Sequence, residues 1–260
     1  MRFLPIALFA FVATDLSAQL PGTRLTVAVQ VNSIAVRGDT SNVAYILSNS
    51  AGSQDSLFAF IVNAPARVSS IPRPQPDSVW MTDSLIHESE PAAFWSKLDL
   101  LAPSSSTAPI FFESVGIPGI VDEWVQGHWP IPTCCDDDPP GVGEDVFVTR
   151  TVQGKTAGVE PWPSDRSAQA LLARLKTLTQ ASCASPLLWI SDGTLCTQLV
   201  ADLDAAEAYR ASSAFAEARA TMDLFSNRLN GSDPGTFAPG VTSQAFWLLK
   251  SNADIVKGTL

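Results

Sequence analysis

The fold is indicated first by the stretch Leu25-Thr26-Val27-Ala28-Val29-Gln30-Val31, in which large apolar residues alternate with small or polar ones. Alternation with a period of two is typical of a β-strand that buries one face. Further short apolar runs follow, separated by Pro, Gly and Ser, and each is a candidate strand. These runs cover residues 43–47, 57–62, 79–81, 94–98, 109–113, 121–127 and 145–152.

The connections between these runs are too short to hold crossover helices, so neighbouring strands are expected to pair antiparallel. The polar segment 48–55 contains Gly52 and is typical of a turn between two strands. About seven or eight strands at this spacing predict an Ig-like β-sandwich of two antiparallel sheets over residues 19–153.

The pattern changes after residue 153. Residues 154–163 hold two glycines and two prolines, which predicts a linker. Beyond it, apolar residues recur at helical spacing. Ser164, Asp192 and Thr242 are candidate helix N-caps. Residues 164–260 are therefore predicted to form a bundle of about four short helices, which makes the whole chain α+β.

The first eighteen residues have the layout of a secretory signal peptide. Arg2 supplies the positive start, residues 3–13 are almost entirely apolar, and Leu16-Ser17-Ala18 offers a small-residue cleavage site before Gln19. The apolar run is far shorter than the roughly 20 residues of a spanning helix. We therefore expect an exported protein, periplasmic or extracellular, with an uncleaved N-terminal anchor as the alternative.

The charge is unevenly distributed along the chain. Residues 19–162 hold 7 Lys and Arg against 16 Asp and Glu, whereas residues 163–260 hold 8 against 9. An acidic chain with no basic patch argues against binding to nucleic acid and to anionic lipid. Membrane association is expected only through a partner or through an uncleaved N-terminal segment.

Export would allow the four cysteines to form disulfides. Cys183 and Cys196 flank a short loop, and their pairing would contribute roughly 3 kcal/mol by the loop-entropy estimate. The alternative for these two residues is an inert pair of free thiols. Cys134 and Cys135 are adjacent and could form a vicinal disulfide or pair elsewhere.

Two passages resemble a known kind of protein. Tyr45-Ile46-Leu47-Ser48-Asn49-Ser50 and Phe111-Phe112-Glu113-Ser114-Val115-Gly116-Ile117-Pro118-Gly119-Ile120 resemble a β-sandwich of uncharacterised exported proteins of environmental bacteria. Residues 195–255 are similar to the helical modules called FIMAH domains, although those modules tend to carry a Cys early in the third helix and this chain has none there. The resemblance implies an exported bacterial protein and carries over no site residues.

The sequence contains few groups that could do catalysis. There are two histidines, His87 and His128, and their surroundings do not have the spacing of a zinc site. The chain has no G-x-S-x-G, P-loop or G-x-G-x-x-G motif. Asp122-Glu123 is the best candidate for a catalytic carboxylate pair, with a solvated strand edge as the alternative. The chain is therefore expected not to be an enzyme, with a hydrolase assembled from distant residues as a rival hypothesis.

The segment after the vicinal cysteines is strongly acidic. Asp136, Asp137 and Asp138 are consecutive, and their carboxylates are hard oxygen ligands that suit Ca²⁺. The run lacks the alternating spacing of an EF-hand, so a solvated acidic loop is the alternative. Calcium is the only cofactor that the sequence suggests.

These observations together favour a non-enzymatic exported protein that docks on a partner protein, such as an accessory periplasmic subunit of a respiratory or photosynthetic membrane complex. Aromatic residues at turns or helix ends are candidate interface anchors, namely Trp129, Trp162 and Trp189. The alternative function is a secreted carbohydrate- or matrix-binding module, which rests on fold analogy.

Overall fold

A computed structural model describes residues 25–66, 68–72, 80–87, 90–128, 151–233 and 235–260. The strands are β1 (Val27–Arg37), β2 (Thr40–Asn49), β3 (Ser56–Asn63), β4 (Val68–Ser70), β5 (Trp80–His87), β6 (Glu90–Leu101), β7 (Ser105–Ser106), β8 (Ile110–Val115), β9 (Ile117–His128) and β10 (Thr151–Glu160). The helices are α1 (Ala168–Cys183), α2 (Gly193–Ala211), α3 (Phe215–Arg228) and α4 (Ser243–Thr259). The predicted α+β class is confirmed.

The strands form two antiparallel sheets. The first sheet has the order β1-β2-β8-β4, with β7 paired to β2, and the second has the order β10-β9-β3-β6-β5. In an immunoglobulin sandwich of the constant type, strands A, B, E and D form one sheet and C, F and G form the other. β1-β2-β8-β4 reproduces the first order and β3-β9-β10 the second, and the β5–β6 hairpin extends the second sheet beyond β3.

The alternation of residue types that predicts β1 matches the burial of its side chains. Val27, Val29 and Val31 are buried, whereas Gln30 is exposed. A β-bulge after Val31 shifts the register, and the strand then continues to a two-residue turn. Gly38 takes a φ of 59° in this turn, a conformation that glycine adopts without strain.

Four aromatic side chains fill the space between the sheets. Tyr45 and Phe112 come from the first sheet and Phe60 and Trp95 from the second, and all four are fully buried. The ring centroids of Tyr45 and Phe60 are 5.3 Å apart, and those of Phe60 and Trp95 are 5.6 Å apart. The hydroxyl of Tyr45 donates to the carbonyl of Ala157 at 2.9 Å. Large aromatic area with edge-on and stacked contacts stabilises this core beyond simple burial.

The segment predicted to be a linker is a strand instead. β10 runs through Thr151–Glu160 and pairs with β9 along its whole length. Its glycines serve close packing, because a Cβ at Gly158 would lie 2.3 Å from Cγ2 of Val121. The connection to the helices begins only after Glu160, and the first helix is capped by Ser167 rather than by Ser164.

The other helix starts agree with the sequence. Asp192 caps α2 by accepting from the backbone N–H groups of Thr194 and Leu195, and Thr242 caps α4 by accepting from Ala245. α2 and α3 form a hairpin, and their buried side chains are mostly aliphatic. Within the described ranges, no helix combines the length and the apolar character that crossing a bilayer requires.

Helix α4 joins the helical part to the sandwich. It packs between β1 of the first sheet and β9 and β10 of the second. Its polar side chains bond to the backbone of β1: Gln244 Nε2 donates to Val29 O at 2.5 Å, Val31 N donates to Ser243 Oγ at 3.2 Å, and Ser251 Oγ donates to Ile34 O at 3.3 Å. The two parts of the chain therefore share one continuous hydrophobic core.

Candidate interaction surfaces

The three tryptophans predicted to anchor an interface differ in their burial and in whether the structure describes them. Trp189 is only 6% exposed and packs in the core, so the expectation that it contacts a partner is corrected. Trp162 is partly buried, and its indole N–H donates to Asp39 O at 3.0 Å while Arg166 lies 4.5 Å above its ring. Trp162 thus fixes the connection between β10 and α1 onto the β1–β2 turn. Trp129 lies outside the described residues.

The predicted calcium ligands Asp136, Asp137 and Asp138 also lie outside the described residues, as do Cys134 and Cys135. Among the residues that the structure does describe, no group of three or more His, Cys, Asp or Glu side chains could hold a metal ion. The calcium site stays a prediction.

The two carboxylates of the candidate pair, Asp122 and Glu123, lie on opposite faces of β9. Consecutive residues of a strand point to opposite faces. Asp122 lies on the outer face and pairs with Lys155 at 2.6 Å. Glu123 lies on the inner face with Phe60 and is only 6% exposed. The two carboxylates therefore do not face a common substrate, and the alternative of a solvated edge is wrong for Glu123.

The inward-facing Glu123 affects the electrostatics of the core. Burial raises the pKa of the Tyr45 phenol well above its usual range, and the nearby charge of Glu123 raises it further. Both causes disfavour the phenolate. Tyr45 is therefore a neutral hydrogen-bond donor inside the sandwich.

The predicted disulfide is confirmed. Cys183 at the end of α1 is bonded to Cys196 in the first turn of α2, with their Cα atoms 6.1 Å apart. The bond lines a shallow open depression of about 380 Å³ between these two helices, together with Gln180 and Val200.

A network around Arg174 of α1 fastens the helices to the second sheet. Its guanidinium donates to Glu160 Oε2 at 2.6 Å, to Pro118 O at 2.9 Å and to Asn252 Oδ1 at 2.7 Å. The Arg174 side chain is 17% exposed. Because Arg174 donates to partners from β9, β10 and α4, this network joins the helices to the second sheet.

Exposed aromatic residues occur at the turn between α2 and α3. Tyr209 is 42% exposed near the end of α2, and Phe215 is 44% exposed at the start of α3. Ala214 N donates to Tyr209 O at 2.8 Å, which closes the turn, and Ser213 has a φ of 61°. We call Tyr209 and Phe215 the helical tip.

The helical tip lies at the end of the α2–α3 hairpin, whose two helices are joined by side-chain bonds. Arg228 of α3 donates from Nε to Asp202 Oδ2 of α2 at 2.6 Å and from Nη1 to Gln198 Oε1 at 3.1 Å. The periodicity of the helix places Tyr209 on the same side of α2 as Asp202. Leu224 is 45% exposed one turn before Arg228, but it lies on the opposite side of α3 from Phe215, because nine helical residues separate them.

The outer face of the first sheet is a second exposed surface. The register places Ser33, Ala44 and Phe111 side by side across β1, β2 and β8, and Ala35, Asn42 and Glu113 in the next row. Ile46 and Phe111 are partly exposed on this face. The described strands thus give this face an apolar centre.

The fold and these surfaces define a class: an α+β protein in which an immunoglobulin-like β-sandwich is joined through a shared core to four packed helices. No protein-family model matches the chain, and no curated protein is similar to it.

Among solved structures, the chain is similar to an uncharacterized protein from Nocardia farcinica with an immunoglobulin-like fold. The identity is 14%, the likeness covers 49% of this chain and 94% of that protein, and the TM-score is 0.29. The immunoglobulin-like class of the sandwich is assigned from the order of the strands in its own two sheets.

Proposed function

We propose that this chain is an exported, non-enzymatic protein that docks on a partner protein through the helical tip. The observation that carries the proposal is the pair of half-exposed aromatic side chains, Tyr209 and Phe215, at the end of a braced hairpin. Exposed aromatic residues are costly to leave in water and are the residue types that most often anchor an interface.

The hairpin that carries the tip is cross-linked at two points. The Asp202–Arg228 pair bridges α2 to α3, and the disulfide bridges α2 to α1. A surface that is ordered in the free protein loses less conformational entropy on binding. This arrangement supports recognition by a fixed surface rather than by a flexible loop.

The chemistry of the tip favours an apolar pocket on a protein. Tyr209 and Phe215 are uncharged, and a phenol hydroxyl can donate one hydrogen bond at the rim of such a pocket. In the proposed setting, the partner belongs to a respiratory or photosynthetic membrane complex, and the chain is its accessory subunit on the periplasmic or outer side. The disulfide is consistent with an oxidising compartment there.

Binding of the purified protein to membrane vesicles from the native organism tests the proposal. We expect saturable binding that Tyr209→Ser combined with Phe215→Ser weakens roughly tenfold or more, because both anchors are lost. Leu188→Ser is the matched control, since Leu188 is 54% exposed on the loop between α1 and α2 and is not part of the tip.

Two further arms identify the binding component. Protease treatment of the vesicles is expected to abolish binding, and vesicles of extracted lipid alone are expected to bind nothing. Equal binding by the wild type and the tip variant, or undiminished binding to lipid alone, would overturn the proposal.

A further inference from the structure

We propose that the outer face of the first sheet pairs with a second copy of this chain, around a two-fold axis that runs along β2. This site is separate from the helical tip and does not depend on the proposed function. The occupant is inferred from the arrangement of large, small and charged side chains across β1, β2 and β8.

The face has the composition of an interface. Ile46 and Phe111 are large and partly exposed, and they lie next to Ala44, which is small and only 7% exposed although it points outward. Gln30 and Asn42 place uncharged polar groups around this centre. An apolar centre with few charges and a polar rim distinguishes interface patches from ordinary protein surface.

Two-fold symmetry about β2 makes the face complementary to itself. A rotation of 180° about an axis that is parallel to β2 and lies between the two facing sheets places β1 of one copy over β8 of the other. Each row of side chains then faces the same row of the other copy. Phe111 of one copy then lies over Ser33 of the other, in the row that both share with Ala44. Large side chains meet small ones, and strand directions stay aligned, as in sheets that pack face to face.

The same rotation also pairs opposite charges. Arg37 lies at the β1 end of one row, level with Val115, and Glu113 lies in the adjacent row of β8. In the two-fold pair, Arg37 of each copy lies next to Glu113 of the other, separated by roughly 7 Å along the strand. Arg37 is exposed and makes no salt bridge within the described part of the chain, so its guanidinium can reach that carboxylate.

The area of this face is that of a weak, reversible dimer. Each outward residue of a sheet covers roughly 30 Å², given a strand spacing of about 4.8 Å and a same-face repeat of about 6.7 Å. Five outward residues on β1, five on β2 and three on β8 therefore bury about 800 Å² in the two copies together, which is the size of a weak, transient interface. We accordingly expect a weak, concentration-dependent dimer.

Sedimentation velocity of the purified protein, from about 1 µM to about 1 mM, measures the association. The wild type is expected to shift reversibly from monomer to dimer. Arg37→Glu and Glu113→Arg each place two like-charge contacts in the homodimer, and each is expected to raise the dimer dissociation constant roughly tenfold or more.

Sedimentation of a mixture of the two variants is the decisive experiment. A heterodimer of Arg37→Glu with Glu113→Arg restores both opposite-charge contacts, so an equimolar mixture is expected to associate although neither variant does so alone. A contact within one chain could not give this rescue. Circular dichroism and the melting temperature of each variant check that the fold is intact.

A wild type that stays monomeric over the whole range would overturn the inference, as would a mixture that stays monomeric. Either result would leave vesicle binding by the helical tip unaffected, so the two proposals fail independently. Binding of these variants to a different protein through this face would also count against self-pairing.

Discussion

The sandwich and the helical part are stabilised in different ways. The sandwich encloses four large aromatic rings between two sheets, whereas the helices bury mainly Leu and Ala, with Phe225 and Phe246, and two of them are joined by a disulfide. Neither part is closed by itself, because α4 and Arg174 connect them. The stability of the sandwich therefore depends on large side chains between its sheets, and that of the helical part depends also on cross-links and on its attachment to the sheets.

The largest expected effect is on the aromatic core. Trp95→Ala removes a fully buried indole and is expected to lower the free energy of unfolding by about 3–5 kcal/mol. Trp95→Phe keeps a ring against Phe60 and is expected to cost roughly 1–2 kcal/mol. Urea denaturation measures both, and equal costs for the two variants would show that ring packing does not dominate this core.

The second effect concerns the bundle. Replacing both Cys183 and Cys196 with Ala is expected to lower the free energy of unfolding by about 3 kcal/mol, since the bond closes a short loop. Hydrogen exchange is expected to increase in α1 and α2 and to change little in β2 and β3. Equal increases in the sandwich would show that the disulfide does not act locally.

The third effect concerns the attachment of the two parts. Arg174→Met removes three charge-assisted hydrogen bonds from a mostly buried site and is expected to cost about 2–3 kcal/mol. Lys155→Met is the control, because its pair with Asp122 is solvent-exposed and contributes less than about 1 kcal/mol. Unfolding of Arg174→Met is expected to separate into two transitions when followed by tryptophan fluorescence and by circular dichroism, because the helices are then attached less firmly to the sheet.

The smallest effect is a pH dependence of the sandwich. The pKa of Tyr45 is raised in the folded state, so its contribution is fully present below the unfolded pKa of about 10 and is lost as the pH rises above that value. Tyr45→Phe loses the hydrogen bond to Ala157 O and is expected to cost about 1 kcal/mol at neutral pH. Between about pH 9 and pH 11 the variant is expected to lose less stability than the wild type. Parallel stability curves for the two proteins would contradict this assignment.

Local patterns predicted most of the fold. The alternation of Val27, Val29 and Val31 predicted a strand with one buried face, and the Asp192 and Thr242 caps were visible as polar residues before helical periodicity. β10 was misjudged because Gly154 and Gly158 are common to linkers and to strands with close neighbours. Only contact with Glu123 and Val121 on β9 distinguishes the two cases, and such contacts are not encoded in one segment.

The surfaces were harder to predict than the fold. Trp189 lies on the loop between α1 and α2 and is buried in the core, while Tyr209 and Phe215 flank a turn and are partly exposed. Their different exposure depends on how three helices pack, which composition does not determine. The outer face of the first sheet needs the register of β1, β2 and β8, because Ser33 and Phe111 are distant in sequence.

The bonds from α4 to β1 have a consequence for how the chain reaches its fold. They join residues more than 210 positions apart, such as Val31 and Ser243. Until α4 docks, the outer edge of β1 presents unpaired N–H and C=O groups, and such an edge recruits strands from other molecules. Contacts between distant residues form slowly, which prolongs that exposure. Docking of α4 therefore protects the edge of β1 from pairing with other molecules. A variant with a destabilised α4 is expected to form insoluble protein rather than a soluble misfolded monomer.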